Sequence, residues 1–254
     1  MSNLILSARN LGIKFGGLSA VCEFNIDLYE NEIAGLIGPN GAGKTTIFNL
    51  LTGQYVPTEG EILLNGISIN GKNPNQIVSL GIARTFQNIR LFKNLKVIEN
   101  VAIAFNKDLK VSTLSSILRT KSFFEEEAKV YKKALDILKI FSLEDYKDEV
   151  ADNLPYGKQR KLEIARAMAT SPQLLLLDEP AAGMNDTETA ELMDTIKSLK
   201  DRFNMSILLI EHDMNLVLGI CEKLSVLNFG KLIASGDPRT VIKDPTVVSA
   251  YLGD

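Results

Sequence analysis

Short apolar runs alternate with amphipathic segments along much of this chain, as buried strands alternate with helices in α/β proteins. Ile33–Ile37 and Leu174–Leu177 are short and apolar, which is typical of strands covered on both faces of a parallel sheet. Helical periodicity over Thr187–Phe203 is followed by a strand pattern at Ile207–Ile210 and a second helix at Met214–Cys221. These segments predict an α/β fold, with late strands at Lys223–Leu227 and Lys231–Ala234.

A different pattern, that of an antiparallel β-layer, occupies the first thirty residues and one later segment. Leu4–Leu6 and Leu11–Phe15 are short strand candidates, and Val21–Tyr29 alternates imperfectly between apolar and polar residues. Glu61–Ile69 predicts a hairpin about an Asn65-Gly66 turn. We expect this layer to flank the α/β sheet.

The segment from Asn75 to about Thr170 is largely helical in pattern, with helix candidates at Val97–Phe105, Ser112–Leu118 and Phe123–Ile140. Neither an internal repeat nor a low-complexity linker separates it from its surroundings. We therefore expect a single domain over residues 1–254, in which a helical subdomain, approximately 88–165, is inserted between 1–87 and 166–254.

Composition and charge narrow the class of protein. An apolar fraction of 45% and a charged fraction of 23% are those of an ordinary soluble globular chain. The net charge of −3 argues against a nucleic-acid partner, and two cysteines far apart in sequence indicate neither a disulfide framework nor a zinc site. Because no apolar run is of membrane-spanning length and no secretory signal is visible, we expect a cytosolic chain that reaches a membrane only through other subunits.

The segment Gly38–Thr46 fits the phosphate-loop pattern G-x-x-x-x-G-K-[ST], between a predicted strand and a helix. Glycines let the backbone approach a polyphosphate, and the helix that opens at Gly43-Lys44 adds free N–H groups and its positive dipole end. Lys44 would reach the β- and γ-phosphates, and the Thr45 hydroxyl would coordinate Mg²⁺. The predicted triphosphate-binding residues are Gly38, Pro39, Asn40, Gly41, Ala42, Gly43, Lys44, Thr45 and Thr46.

Polar residues follow two later apolar strands. Asp178 and Glu179 come after Leu174–Leu177, where the first acid would hold Mg²⁺ through water and the second would act as general base. His212, the only histidine, follows Ile207–Ile210 and is a candidate γ-phosphate sensor. The alternatives are a pair of solvated acids before a proline turn, and a surface or satisfied core histidine.

These motifs, together with Gln87 and Leu154–Arg160, occur in an order and at spacings that resemble the ATP-binding cassette of ABC transporters over essentially the whole chain. The resemblance implies a phosphate-loop NTPase fold, an ABC nucleotide-binding domain with an antiparallel β-subdomain and an inserted helical subdomain in a RecA-like core. It also implies that ATP, bound with Mg²⁺, is hydrolysed, and that two cassettes close on it.

The resemblance assigns further roles. Phe15 matches the aromatic residue that stacks on adenine, although by residue type it is most simply a core aromatic. Gln87 matches a catalytic-loop glutamine that senses Mg²⁺, alongside Thr45 and Asp178, and couples to the membrane subunit. The signature motif that closes on the opposite protomer's ATP corresponds to Leu154, Pro155, Tyr156, Gly157, Lys158 and Gln159.

The signature departs from the usual Leu-Ser-Gly-Gly-Gln because Pro155 replaces the serine, so neither a hydroxyl nor an N–H is available there. The Gly157 backbone and the start of a helix expected over Lys158–Ala169 remain to receive an anion. We expect a half-site with weaker phosphate contact. Asn185 stands where many relatives carry an aspartate, so cross-dimer coupling through its loop stays open.

The chain resembles, within that family, the branched-chain amino acid uptake branch. The residues that carry this likeness are Tyr156–Met168, Glu179–Asn185, Ile210–Met214 and Ala250–Gly253. The branch implies import of hydrophobic amino acids at the cytoplasmic face of the membrane, with membrane-spanning subunits and a second ATPase subunit, identical or related. Docking is expected near Gln87 and Asn88–Phe92, although Leu91 and Phe92 could equally be buried core.

The sequence is also compatible with other functions. The ATPase could serve another ABC system, such as lipopolysaccharide export or urea uptake, or a non-transport ABC protein. A small-molecule kinase or a GTPase also uses a phosphate loop. However, the chain has no Asn-Lys-x-Asp guanine-reading motif, and a kinase would not explain Leu154–Arg160.

Overall fold

The computed structural model describes residues 3–108 and 121–252, except for the side chains of 106–108, 121–123 and 252. The helix predicted at Ser112–Leu118 lies outside the described residues. The chain divides into two compact units, which we call the sheet unit (Met1–Gln87 with Gln173–Asp254) and the helical unit (Asn88–Pro172). The subdomain boundaries expected at residues 88 and 165 stay a prediction.

Six strands form the larger sheet of the sheet unit. Their spatial order is β10 (Lys231–Gly236), β9 (Lys223–Asn228), β3 (Ile33–Ile37), β8 (Ser206–Ile210), β7 (Leu174–Asp178) and β6 (Ile82–Arg84). Neighbours from β9 to β6 are parallel, and β10 pairs antiparallel with β9. Every residue of β3, β7 and β8 is buried, as their apolar runs predicted. The loops that follow the parallel strands therefore meet at one edge.

The second sheet is antiparallel, with the order β2 (Leu18–Tyr29), β1 (Leu4–Phe15), β4 (Glu59–Leu64) and β5 (Ile67–Ser68). The prediction of separate strands at the two ends of β1 was wrong. A register shift between Ala8 and Leu11, with Asn10 at φ +47°, interrupts the alternation without ending the strand. The predicted β4–β5 hairpin is confirmed, and both residues of its Asn65-Gly66 turn have positive φ, as a type I′ turn requires.

The described helices of the sheet unit lie between its strands along the chain or follow the last strand. They are Lys44–Leu51, Pro74–Ser79, Asp186–Phe203, Met214–Ile220, Pro238–Val241 and Pro245–Leu252. A buried apolar cluster joins side chains of both sheets, among them Leu6 and Phe24 of the antiparallel sheet and Leu176 and Leu208 of the larger one. Phe48, from the helix after the phosphate loop, packs into the same cluster. The helix that follows the phosphate loop is therefore packed into the core of the sheet unit.

The helical unit contains α-helices at Val97–Ala102, Lys121–Ile140 and Tyr156–Met168, and 3₁₀ turns at Ile103–Asp108, Glu144–Tyr146 and Ala151–Asn153. The helix expected over Val97–Phe105 thus tightens into a 3₁₀ helix after Ala102. The helix expected to begin at Lys158 begins at Tyr156 instead, because Pro155 has φ −52° and suits the position before a first turn. In the parts of the chain that the structure describes, no helix has the length and apolarity needed to span a membrane.

Candidate active site

The phosphate loop leaves β3 at Gly38 and ends at the helix Lys44–Leu51. Gly38 has φ +152°, and a Cβ there would lie 2.2 Å from the carbonyl oxygen of Leu227. Gly43, which precedes the helix, has φ +105°, and a Cβ there would lie 2.9 Å from the carbonyl oxygen of Ala20. A side chain at either position would push against backbone, so the shape of the loop depends on glycine.

The side chain of Lys44 lies inside this loop and is buried. Its ammonium donates hydrogen bonds to the carbonyl oxygens of Gly38, at 2.6 Å, and Pro39, at 3.0 Å. Burial lowers the pKa of Lys44, while the carboxylates of Glu179 and Asp178 oppose that shift. The loop therefore carries a partly desolvated ammonium group together with free N–H groups of a helix start, a set of donors suited to an anion.

A cavity of about 470 Å³ lies against the loop. Its lining combines Asn40–Thr46 of the loop with Gln87, Glu179 and His212, which follow β6, β7 and β8. The remaining lining residues are Leu18, Ser19, Ala20 and Phe229. The structure thus brings the predicted catalytic residues and most of the predicted phosphate-binding residues to one cavity, with Gly38 and Pro39 at the entry of the loop.

The carboxylate of Glu179 is held by two side chains from neighbouring loops. Gln87 Nε2 donates to Oε2 at 3.0 Å, and His212 Nε2 lies 2.9 Å from Oε1. Glu179 has φ +49°, an uncommon conformation for a non-glycine residue, and its N–H donates to the carbonyl oxygen of Ile210 at 2.9 Å. A carboxylate oriented in this way, beside a phosphate-binding loop, can accept a proton from an attacking water.

Asp178 is not in the cavity lining but is buried at the end of β7, where its Oδ2 lies 2.8 Å from Nη2 of Arg84. Arg84 ends the adjacent strand β6, donates to Asn49 at 2.7 Å, and lies over the rings of Phe48 and Phe86. Arg84 was not predicted as a site residue. The sequence carries one signal for it, a cation at a strand end three residues before Gln87, but only the β6–β7 pairing connects it with Asp178.

Phe15 is not a core residue, because 45% of its surface is exposed. Its ring meets that of Tyr55 edge to face, with centroids 5.2 Å apart and planes at 72°. Phe15 is paired across the β1–β2 hairpin with Leu18, which lines the cavity. An exposed aromatic side chain therefore lies on the strand next to the cavity wall, directly opposite one of its lining residues.

The signature residues lie at the start of the helix Tyr156–Met168 in the helical unit. Pro155 is the N-cap and provides no side-chain hydrogen bond, so the first N–H groups of the helix lack that usual partner. Leu154 and Gly157 are buried, whereas Tyr156 is exposed. Gln159 Nε2 donates back to the carbonyl oxygen of Leu154 at 2.9 Å, and Lys158 Nζ contacts the hydroxyl and ring of Tyr146.

Asn185 and Phe92 also carried expectations from the sequence. Asn185 caps the helix Asp186–Phe203, since its side chain accepts from the N–H of Glu188 at 3.0 Å while Glu188 accepts from the N–H of Asn185. An aspartate could make the same cap, so the local fold does not explain the replacement. Phe92 is exposed and lies near the guanidinium of Arg166, so it is not the buried core residue that its type also allowed.

Two protein families match this sequence. The family described as ABC transporter matches residues 21–182. A second, described as branched-chain amino acid ATP-binding cassette transporter, matches residues 231–254.

Individual relatives match over the whole length. The chain is 47% identical to the high-affinity branched-chain amino acid transport ATP-binding protein LivG of Escherichia coli K12, over 100% of both chains. It is 43% identical to the corresponding protein BraF of Pseudomonas aeruginosa, again over 100% of both. Among solved structures, the ADP conformation of MJ1267, an ATP-binding cassette of an ABC transporter, superposes with a TM-score of 0.86 at 32% identity, over 100% of both chains.

Proposed function

The chain belongs to the ATP-binding cassettes of ABC transporters, and we propose that it is the ATP-hydrolysing motor subunit of an importer of branched-chain amino acids. One observation carries the motor role: Gln87, Glu179 and His212 converge on the cavity whose wall is the phosphate loop. The substrate class is supported by the names of the full-length relatives and by the match at residues 231–254.

The phosphates of ATP would occupy the loop Gly38–Thr46. The ammonium of Lys44, now bonded to the carbonyl oxygens of Gly38 and Pro39, would turn to the β- and γ-phosphates, which are stronger acceptors than carbonyl oxygens. The N–H groups of the helix start complete the cradle. Phe15 would stack on the adenine ring, for which its exposed face is available.

Magnesium fits the oxygen donors around this cavity. Thr45 and Gln87 line it, and Asp178, buried at the end of β7, would act through an intervening water. Among the described residues, no group of three or more His, Cys, Asp or Glu side chains could hold a metal alone, so phosphate oxygens would supply the remaining ligands. Mg²⁺, when bound, neutralises charge that develops on the phosphates.

Hydrolysis follows from the orientation of Glu179. Its carboxylate accepts the proton of the attacking water, while Gln87 and His212 fix the position of both carboxylate oxygens. His212 can also donate to a γ-phosphate oxygen. The signature of a second ATPase subunit, identical or related, would close on the bound ATP. With Pro155 in place of a serine, that contact would rely on the backbone N–H groups of Tyr156, Gly157 and Lys158, because those of Leu154 and Gln159 already donate to carbonyl oxygens.

Transport of a substrate across the membrane requires membrane-spanning subunits. They would dock near Gln87 and Asn88–Phe92 and hold the chain at the cytoplasmic face of the membrane. The exposure of Phe92 supports an apolar contact there. Since Gln87 also holds Glu179, a partner that moves this segment would alter the hydrolytic site directly.

The proposal is tested by uptake of radiolabelled leucine, isoleucine and valine in cells whose own copy is replaced by Lys44→Ala. We expect uptake of all three to fall at least about tenfold, because loss of a charge-assisted phosphate contact weakens ATP binding. Lys197→Ala, an exposed lysine of the helix Asp186–Phe203, is the matched control and should transport normally. Normal uptake by Lys44→Ala, or a loss confined to an unrelated solute, contradicts the proposal.

A further inference from the structure

One buried carboxyl group at this edge of the sheet has no role in the mechanism above. Glu211 follows β8 directly and is only 3% exposed. In the part of the chain that the structure describes, no lysine or arginine forms an ion pair with it. Burying a carboxylate without a cation is costly unless hydrogen bonds replace the lost water.

Backbone N–H groups from two loops provide those hydrogen bonds. Ala181 donates to Oε1 of Glu211 at 2.8 Å. His212 donates to Oε2 at 2.9 Å, and Asp213 approaches the same oxygen at 3.4 Å. Burial raises the pKa of Glu211, the three backbone donors oppose that shift, and the charge of Glu179 adds to it. One side chain thus connects the loop after β7 to the loop after β8.

Those are the loops that carry Glu179 and His212. Ala181 lies two residues after Glu179, whose φ of +49° is a strained conformation that persists only where the surroundings hold it. The hydrogen bond from the N–H of Glu179 to the carbonyl oxygen of Ile210 holds one side of this turn. The hydrogen bond from the N–H of Ala181 to the carboxylate of Glu211 holds the other side. The 2.9 Å contact between Glu179 and His212 depends on the distance between the two loops.

We propose that Glu211 is a positioning residue for ATP hydrolysis, which fixes the turn of Glu179 against the loop of His212. The inference rests on the proposed function, in which those two residues act on ATP. Glu211 itself does not line the cavity at the phosphate loop. It sets the geometry of the pair that does, and displacement of a reacting group by about 1 Å can cost about 100-fold in rate.

The substitution Glu211→Gln tests this with little change of shape. The amide oxygen can still accept from Ala181, but the amide nitrogen is then a donor that faces the N–H of His212. We expect kcat for ATP to fall at least about tenfold, with KM within about twofold, because the phosphate loop makes no contact through Glu211. Glu222→Gln, an exposed glutamate after the next helix, is the control and should match the wild type.

A double-mutant cycle separates positioning from general support of the fold. If Glu211 acts by positioning Glu179, Glu211→Gln should cost less than about twofold in kcat when Glu179 is already glutamine. Equal losses in both backgrounds, or a kcat within twofold of wild type for Glu211→Gln, overturn the inference. If the glutamine variant does not fold, Glu211→Asp replaces it, since the shorter carboxylate cannot reach both loops and should lower kcat in the same way. An inactive wild-type chain contradicts the proposed function instead.

Discussion

The helical unit buries an ion pair whose removal gives a quantitative test of the structure. Arg160 and Glu163 lie three residues apart in the helix Tyr156–Met168, with side chains 0% and 1% exposed and Nη1 3.0 Å from Oε2. Glu163 Oε1 also accepts from the N–H of Arg90 at 3.0 Å, and Arg160 Nη2 donates to the hydroxyl of Tyr156 at 3.3 Å. The pair therefore connects the signature helix to the segment after Gln87.

Because both charged groups are buried, replacing either one should cost more stability than replacing an exposed charge. With both charges present, their attraction roughly offsets the loss of hydration, so the pair itself adds little net stability. Arg160→Met removes the guanidinium that lies 3.0 Å from the buried carboxylate of Glu163. Because the charge of Arg166 also favours that carboxylate, we expect a loss of about 3 kcal/mol in the free energy of unfolding. Glu163→Gln keeps an acceptor for Arg90 but removes the carboxylate charge beside the guanidinium of Arg160, with a similar loss. The double variant removes both charges and should be more stable than either single one.

Urea unfolding followed by circular dichroism measures these changes, and amide hydrogen exchange locates them in the signature helix. Lys139→Met is the matched control. Lys139 and Asp136 have the same spacing on the helix Lys121–Ile140, at 3.3 Å, but are 55% and 57% exposed. We expect the control to change stability by less than about 0.5 kcal/mol. Additive losses in the double variant, or single variants as mild as the control, would show that Arg160 and Glu163 are not a coupled, buried pair.

Four further predictions follow from individual positions. Gly38→Ala forces a Cβ to 2.2 Å from the carbonyl oxygen of Leu227 and should abolish binding of a fluorescent ATP analogue. Retained binding would show that the shape of the phosphate loop does not depend on glycine at this position. Phe15→Ala should weaken ATP binding about threefold to tenfold in calorimetry and leave inorganic triphosphate unaffected, since only stacking is lost. Pro155→Ser restores a hydroxyl worth about 0.5–1.5 kcal/mol and should strengthen ATP-driven dimerisation in light scattering and raise turnover; unchanged values would refute the weak half-site. Burial raises the pKa of Cys221 to about 12, so with Cys22→Ser the folded chain should resist thiol reagents at pH 8 and react once unfolded.

Features encoded within a few neighbouring residues could be predicted from the sequence. The strand Ile33–Ile37, the phosphate loop and the following helix form as expected, because apolar burial and glycine conformation are local properties. The apolar runs of β7 and β8 likewise become buried central strands. Parallel pairing then brings Glu179 and His212 to one edge.

Features that depend on which strands become neighbours could not be predicted. The pairing of Arg84 with Asp178 requires that β6 lie beside β7, across more than ninety residues of sequence. The bridge from Glu211 to Ala181 depends in the same way on the neighbouring β7 and β8. The signature helix begins at Tyr156 rather than at the predicted Lys158, with Pro155 as its N-cap, and the residue types alone do not fix that boundary.

In the proposed function, ATP bound by the phosphate loop is cleaved with Glu179 as the base. Glu179→Gln tests it most directly, because the amide keeps the shape of the side chain but cannot accept the proton. With Mg²⁺ and ATP, we expect this variant to bind ATP as the wild type does, to accumulate closed dimers in light scattering, and to cleave ATP at least about 100-fold more slowly. Glu191→Gln, on the helix Asp186–Phe203, should behave as wild type. Full ATP cleavage by Glu179→Gln would rule out Glu179 as the base.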